Sequence, residues 1–491
     1  MEELQRIRRE LAALRAGRTA ALWRAHRGLD FDLVEPYRRQ PAATHDETPR
    51  VIDEALRKAG SEAERDGLQR LRAAVTLERV RVTALRLEQG LRAGELAAVV
   101  EGPEGRLPLR AALRSVALEP QRGRRERLAD ACGRAIAEDG SRRADWIALQ
   151  QEALGREGTS PALLAGFDQG QLLEEARAVL AATEDAWREL LPWALGRWVA
   201  EGLQPVPRGD LAAHDLAWLQ AAPFLGAAFP AGALRLAAAG LVEAMGFDGR
   251  RGNVRLDLDR RPLAAIGAFV APIEIPGRIG LSLAPQGTPA DWRDLFGGIA
   301  AALRFASLPC GPEETWAGEG AVEACFVALF RSIVREPLFY RRVVQAPRAA
   351  AEEAVRAFTL LELLELRTLC GRAIYEAEVW VRPPSQAVAR SFGEILAAAT
   401  GVRFDERLFL AAVDPALPAC TSLRGHAILG AIAPALLERL DEDWWRNPRT
   451  GPLLQGIWAR GGALRGAEVP KLLGAGAPSL QARAEQLVAH L

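Results

Sequence analysis

Lysine is almost missing from this chain: Lys58 and Lys471 are the only two in 491 residues, so nearly all the positive charge is arginine. The arginines are spread along the sequence and the charges balance to a formal net of +0. That excludes a bulk field favouring nucleic acid, an anionic membrane or an acidic substrate. Cysteine is scarce as well. Cys132, Cys310, Cys325, Cys370 and Cys420 are odd in number, widely separated and free of any CxxC pair, which excludes a disulfide framework and a thiolate zinc knot. They read as buried small apolar groups. His26, His45, His214, His426 and His490 show no HxxxH or HxH spacing, so neighbouring histidines do not assemble a metal site. The charged first helix, MEELQRIRRELAALR, lacks a secretory apolar core, and no later run resembles a membrane span without charge or proline. A cytoplasmic protein with no membrane and no nucleic-acid partner is expected. There is no fixed-period repeat and no low-complexity tract.

What is present is mostly helical periodicity. Leu4, Ile7, Leu11 and Leu14 set one stripe, Leu68, Leu71, Val75 and Leu77 a second, and Leu172, Leu173, Val179 and Leu180 a third. Breaks fall at GPEGRLP (102–108), DGSRR (139–143) and GREGTSP (155–161), where turn chemistry belongs. QPVPRGD (204–210) is the expected joint between an amino-terminal helical lobe, 1–203, and a second lobe, 210–491. Past it, Val254, Leu256 and Leu258 alternate with charged residues as in a half-buried strand. PIEIPGRIGLSLAP then reads as a hairpin turning at Pro276-Gly277, so a small antiparallel sheet is predicted. Residues 349–381 are apolar on more than one face and stop at Pro383-Pro384, which predicts a central helix packed on several sides. The fold class is mainly α with a small β element, in two lobes.

The segment after the hairpin, DWRDLFGGIAAALRFA, predicts a helix with adjacent glycines. Leu295, Phe296, Ile299 and Leu303 form its apolar stripe, while Gly297, Ala301 and Arg304 share another face, with Gly298 beside it. An interior glycine costs about 1 kcal/mol relative to alanine. Close packing is the plain reason for two in succession.

The order of elements resembles a known family. LDLD, then RP, AF, the PIEIPGRIGLSLAP hairpin, the DWRDLFGGIAAALRFA helix and a second helix, GEGAVEACFVALF, are together similar to the thimet oligopeptidase and oligoendopeptidase family of zinc metallopeptidases. VDPALPACTSLRGHAI and LLERLDEDWWRNPRTGPLLQGIWARGG extend the likeness, which covers about 210–491. The resemblance implies two helical lobes around a deep channel, with the sheet beside the former active-site helix.

In that family this helix bears HExxH, whose histidines bind zinc while the glutamate acts on the metal-bound water, and a glutamate on the next helix completes the ligands. Laid over this sequence, the histidines fall on Gly297 and Ala301 and the glutamate on Gly298. Only the distal ligand keeps its type, at Glu323. A segment resembling DPGFYxxxYLRAW reads DPALPACTSLRGH here, so tyrosine positions fall on Pro418 and Ser422 and a tryptophan position on His426, with Arg424 kept. The family's zinc is therefore expected to be missing as a cofactor, with its ligands lost, and the hydrolytic reaction with it. Arg304, Glu323, Ser422, Arg424 and His426 are the expected channel residues. Because helical side chains lean toward the amino terminus, Arg304 can swing over the Ala301 position and pair with Glu323. The expected function is a silent peptidase homologue, or pseudopeptidase, that binds a peptide along the hairpin or pairs with an active relative. The alternative is an active hydrolase cleaving oligopeptides through a metal site the sequence does not display.

Overall fold

A computed structural model describes residues 2–103, 105–194, 211–247, 251–312, 317–411 and 413–491. Helices dominate, and their ends follow local chemistry. Ser61, Ser160, Asp168, Ser385 and Ser479 each accept a backbone N–H at a helix start. Gly166 and Gly401 close two helices in the left-handed conformation. The joint expected at 204–210 lies outside the described residues.

The first helix runs Glu2–His26 and buries Ile7, Leu11 and Leu14. These join Leu68, Leu71 and Val75 of the helix Glu62–Thr83 in an amino-terminal core cluster. The expected break at GPEGRLP is in fact a hairpin, β1 (Val99–Gly102) antiparallel to β2 (Gly105–Pro108). Four-residue strands are too short to show a period.

The second sheet also departs from expectation. β3 (Val254–Asp257), β4 (Phe269–Glu274) and β5 (Arg278–Ser282) lie in the order β3-β5-β4, and β3 pairs β5 in parallel. The sheet is mixed because the chain crosses past β5 before entering β4. Pro272 fits this order, since a residue without an N–H belongs on an outer strand. The first helix locks onto this sheet: Trp23 Nε1 donates to Ser282 Oγ at 2.9 Å, and His26 stacks on Phe269 at 5.1 Å.

The largest core surrounds the central helix, Arg348–Val379, which is buried on several sides as its sequence predicts. Phe229, Trp292, Phe339 and Phe358 pack edge-to-face within it. Trp444 and Trp445 are both buried. Cys310 is exposed, unlike the other four cysteines, and sits outside the helices. The helix Pro418–Leu440 is long and apolar enough by composition to cross a membrane, but most of its apolar stretch is buried in this core.

Candidate functional site

The glycine helix, Pro289–Ser307, starts where proline takes the first position after Thr288. Asp291 accepts the N–H groups of Gln286, Gly287 and Thr288 at 2.9, 2.7 and 2.8 Å, which ties the incoming loop to the first turn of the helix. Both glycines are explained by contact. A Cβ on Gly298 would sit 2.6 Å from Leu281 Cδ1, and one on Gly297 would sit 2.9 Å from Arg331 Cγ and 3.1 Å from Val327 Cγ1. Helix and sheet therefore approach closely at Gly298, and helix and helix at Gly297.

This geometry revises the superposed ligand set. The partner helix, Gly320–Arg331, carries Glu323 one turn before Val327 and two turns before Arg331. Gly297 is level with those later residues, and the residue that meets Glu323 is Arg304. Seven residues of helix separate Gly297 from Arg304, about 10 Å of rise. A histidine at Gly297 would not converge with Glu323. Moving the register does not repair the site, because 295–306, LFGGIAAALRFA, contains no histidine, cysteine or carboxylate.

The structure brings Arg304 and Glu323 together, with Nη1 3.6 Å from Oε2. Arg304 is 5% exposed, its guanidinium lies 5.6 Å from the Phe305 ring centroid, and its Nε is buried without a hydrogen bond. The Glu323 side chain is 34% exposed. Burial lowers the arginine pKa and raises that of the glutamate, each opposed by the charge of the other.

Arg424 and His426 go elsewhere. Arg424 pairs with Glu319, which precedes the Glu323 helix, and lies over Phe167 at 4.8 Å. Burial pushes its pKa down to about 10. Gly425 passes so near Ala324 and Cys325 that a Cβ would lie 2.6 and 2.7 Å from their atoms. His426 is buried among the charges of Arg483, Glu365, Glu362 and Arg331. Burial, then the charge of Arg483, lowers its pKa to about 4, and its Nδ1 has no hydrogen-bond partner. Ser422 is half-buried on the same helix.

The sequence reading missed that ionic network. Glu365 takes Arg293 and Arg331, Arg331 also takes Asp294 at 2.5 Å, and Glu362 takes Arg335 at 2.6 Å and Arg483. Its one visible signal is the pair of glutamates inside the apolar run TLLELLELR. The network borders a cavity of about 780 Å³ at the start of the glycine helix. A second cavity, about 660 Å³, lies at the other end, beside Phe305, β4 and the first helix.

No protein-family model and no curated protein matches the sequence. Solved structures do resemble it. The M32 carboxypeptidase of Deinococcus radiodurans R1 superposes with a TM-score of 0.61 at 14% identity, covering 99% of this chain and 97% of that one. The metallocarboxypeptidase 1 of Trypanosoma cruzi gives 0.61 at 14%, covering 100% and 99%. A crystal structure named BsuCP gives 0.63 at 10%, covering 99% and 98%. The chain thus has the helical metallopeptidase fold, and two of these similar structures are named as carboxypeptidases. Such a fold implies a zinc ion, and the residues present do not fit one. A catalytic zinc takes three protein ligands, whereas the glycine helix offers none. Among the described residues no three histidine, cysteine or carboxylate side chains gather as a metal group.

Proposed function

We propose that this protein is a silent member of the metallopeptidase fold, a pseudopeptidase that works by binding. The observation that carries the reading is Arg304 standing against Glu323 on a helix stripped of donor atoms from 295 to 306. A guanidinium cannot ligate a metal or accept a proton from water at neutral pH. Without a metal, nothing there lowers the pKa of water or polarises a scissile carbonyl. The missing glutamate removes a further factor of roughly a hundred or more.

Binding needs none of these groups. β4 is an outer strand of its sheet, with Phe269 and Pro272 lining the 660 Å³ cavity. An extended peptide can add to such an edge through main-chain hydrogen bonds. The oligopeptidase likeness narrows, in this reading, to the shared arrangement of hairpin and helix pair, and a peptide or an active relative remains the partner class. The test is hydrolysis of carboxyl-terminal residues from mixed peptides, with added zinc and with chelator. The expected result is no turnover in either. Turnover that chelator abolishes would establish the active alternative.

A further inference from the structure

The last turn of the first helix is fastened to the sheet at Trp23 and His26. Trp23 lies so close to β5 that a Cβ on Gly280 would sit 2.8 Å from its ring, and its Nε1 donates to Ser282 Oγ at 2.9 Å. His26 stacks on Phe269 of β4, and its carbonyl accepts the Ala265 N–H at 2.7 Å. Its Nδ1 is 3.4 Å from the same Ser282 Oγ, and the ring also bonds the Ile266 backbone. Ser282 is thus shared: its oxygen accepts from Trp23, and its hydroxyl proton is free for Nδ1 of a neutral ring.

A protonated ring does not fit this setting. It carries hydrogen on both nitrogens, so Nδ1 no longer accepts and the Ser282 proton loses that partner. The new charge is also badly placed. Arg110 of the helix Leu109–Leu118 reaches the same turn, donating to Ala25 O at 2.6 Å and Leu263 O at 3.0 Å, while Glu95 holds its Nε at 2.8 Å. Arg27 follows on the chain, held by Asp257 of β3 at 2.6 Å. From β4 and β5 the ring meets Phe269 and Ser282, which carry no charge. His26 also lines the cavity of about 660 Å³, which is open to solvent, so a proton can reach it. Around that cavity Arg15, Arg18, Arg81 and Arg92 join Arg110, so arginines line it from four helices, with Glu78, Glu95 and Asp414 as the acids. Burial, then Arg110, lowers the His26 pKa to about 4, opposed by the Ile266 bond.

We propose that His26 is an acid-released latch: on gaining a proton it lets the last turn of the first helix leave the sheet, uncovering Phe269 of β4 and Gly280 and Ser282 of β5. An open turn gives the ring to water, where it takes a proton near pH 6.5, so opening is favoured as pH falls below that value. With the folded ring titrating near 4, the open fraction rises about twentyfold between pH 7 and 5. The peptide reading uses the edge of β4, whereas the latch concerns how the first helix is attached, so either can fail alone.

Hydrogen exchange of the full chain, read by mass spectrometry at pH 7 and 5 and corrected for the intrinsic rate, tests the idea. Protection of 20–28 should fall about tenfold or more at pH 5 while that of 355–375, in the central helix, stays constant. His26→Phe, which can stack on Phe269 but takes no proton, should keep the same protection of 20–28 at both values. A second readout is histidine Cε1 titration by NMR, with the His26 resonance assigned through His26→Gln. It should titrate at least about one pH unit below that of exposed His45. Unchanged protection of 20–28 in the parent, the same loss in a folded His26→Phe, an equal loss in 355–375, or a His26 resonance that titrates with His45 overturns the proposal.

Discussion

At its amino-terminal end the glycine helix sends Arg293 and Asp294 into a network in which Glu365 is held by two guanidiniums and Arg331 spans two acids. Three turns on, Arg304 meets Glu323 alone at 3.6 Å, with one buried nitrogen unpaired. Both clusters place arginine against glutamate, and they are built to different standards. Buried charges are tolerated where several hydrogen bonds replace water. Around Glu365, where Arg293 and Arg331 donate to it and Arg331 to Asp294, the first cluster meets that condition. The second only partly does, since Arg304 Nε stays buried without a hydrogen bond.

The comparison is broken most directly by removing the shared acid. Glu365→Ala leaves Arg293 and Arg331 without a common partner and should cost about 3–5 kcal/mol in chemical denaturation. A loss below about 1 kcal/mol, typical of surface pairs, would put the two clusters on the same footing. Next comes acid sensitivity at His426, 4% exposed and neutral when folded. The unfolded chain takes a proton there near pH 6.5 and the folded one only near 4. Stability contributed by the neutral ring is therefore complete above 6.5 and falls as pH drops toward 4, by roughly 3 kcal/mol. His426→Gln should flatten that part of the stability profile relative to the parent. An identical slope in both would show that the histidine does not titrate as described.

Smaller effects sharpen the contrast along the helix. Gly298→Ala pushes a methyl into Leu281 and should destabilise by about 1–2 kcal/mol, the overpacking exceeding the gain in helix propensity. A more stable Gly298→Ala variant would show that the glycine does not answer to packing. The smallest change is expected for Arg304→Met with Glu323→Leu, within about 1 kcal/mol of the parent, because a weak ion pair replaced by apolar groups is often neutral or favourable. A loss of several kcal/mol would make that pair as structural as the network.

Much of this was legible in the sequence. Periodicity located the helices and the many-sided burial of 349–381, and the lean of helical side chains put Glu323 within reach of Arg304 without deciding between that pair and solvent. The mixed sheet was not legible, because alternation marks strands but carries no information on which strand takes the centre. The position of Gly297 was misread for a related reason: spacing along the chain fixes where ligands fall on one helix, while the level of its neighbour is set by packing of Gly297 and Gly298. His426 read as a channel residue because the family resemblance set it on a substrate-segment position, while the acids beside it, Glu362 and Glu365, come from another helix. The arginine-lined cavity draws on four separate helices, and no local pattern could have assembled it.

The central claim is that residues 295–306 of the glycine helix supply no ligand for a metal. Native mass spectrometry of the full chain after equilibration with zinc tests it most directly. The account predicts the mass of the bare polypeptide, with only weak, non-stoichiometric adducts. One zinc per chain, retained through dilution and lost with chelator, would contradict it.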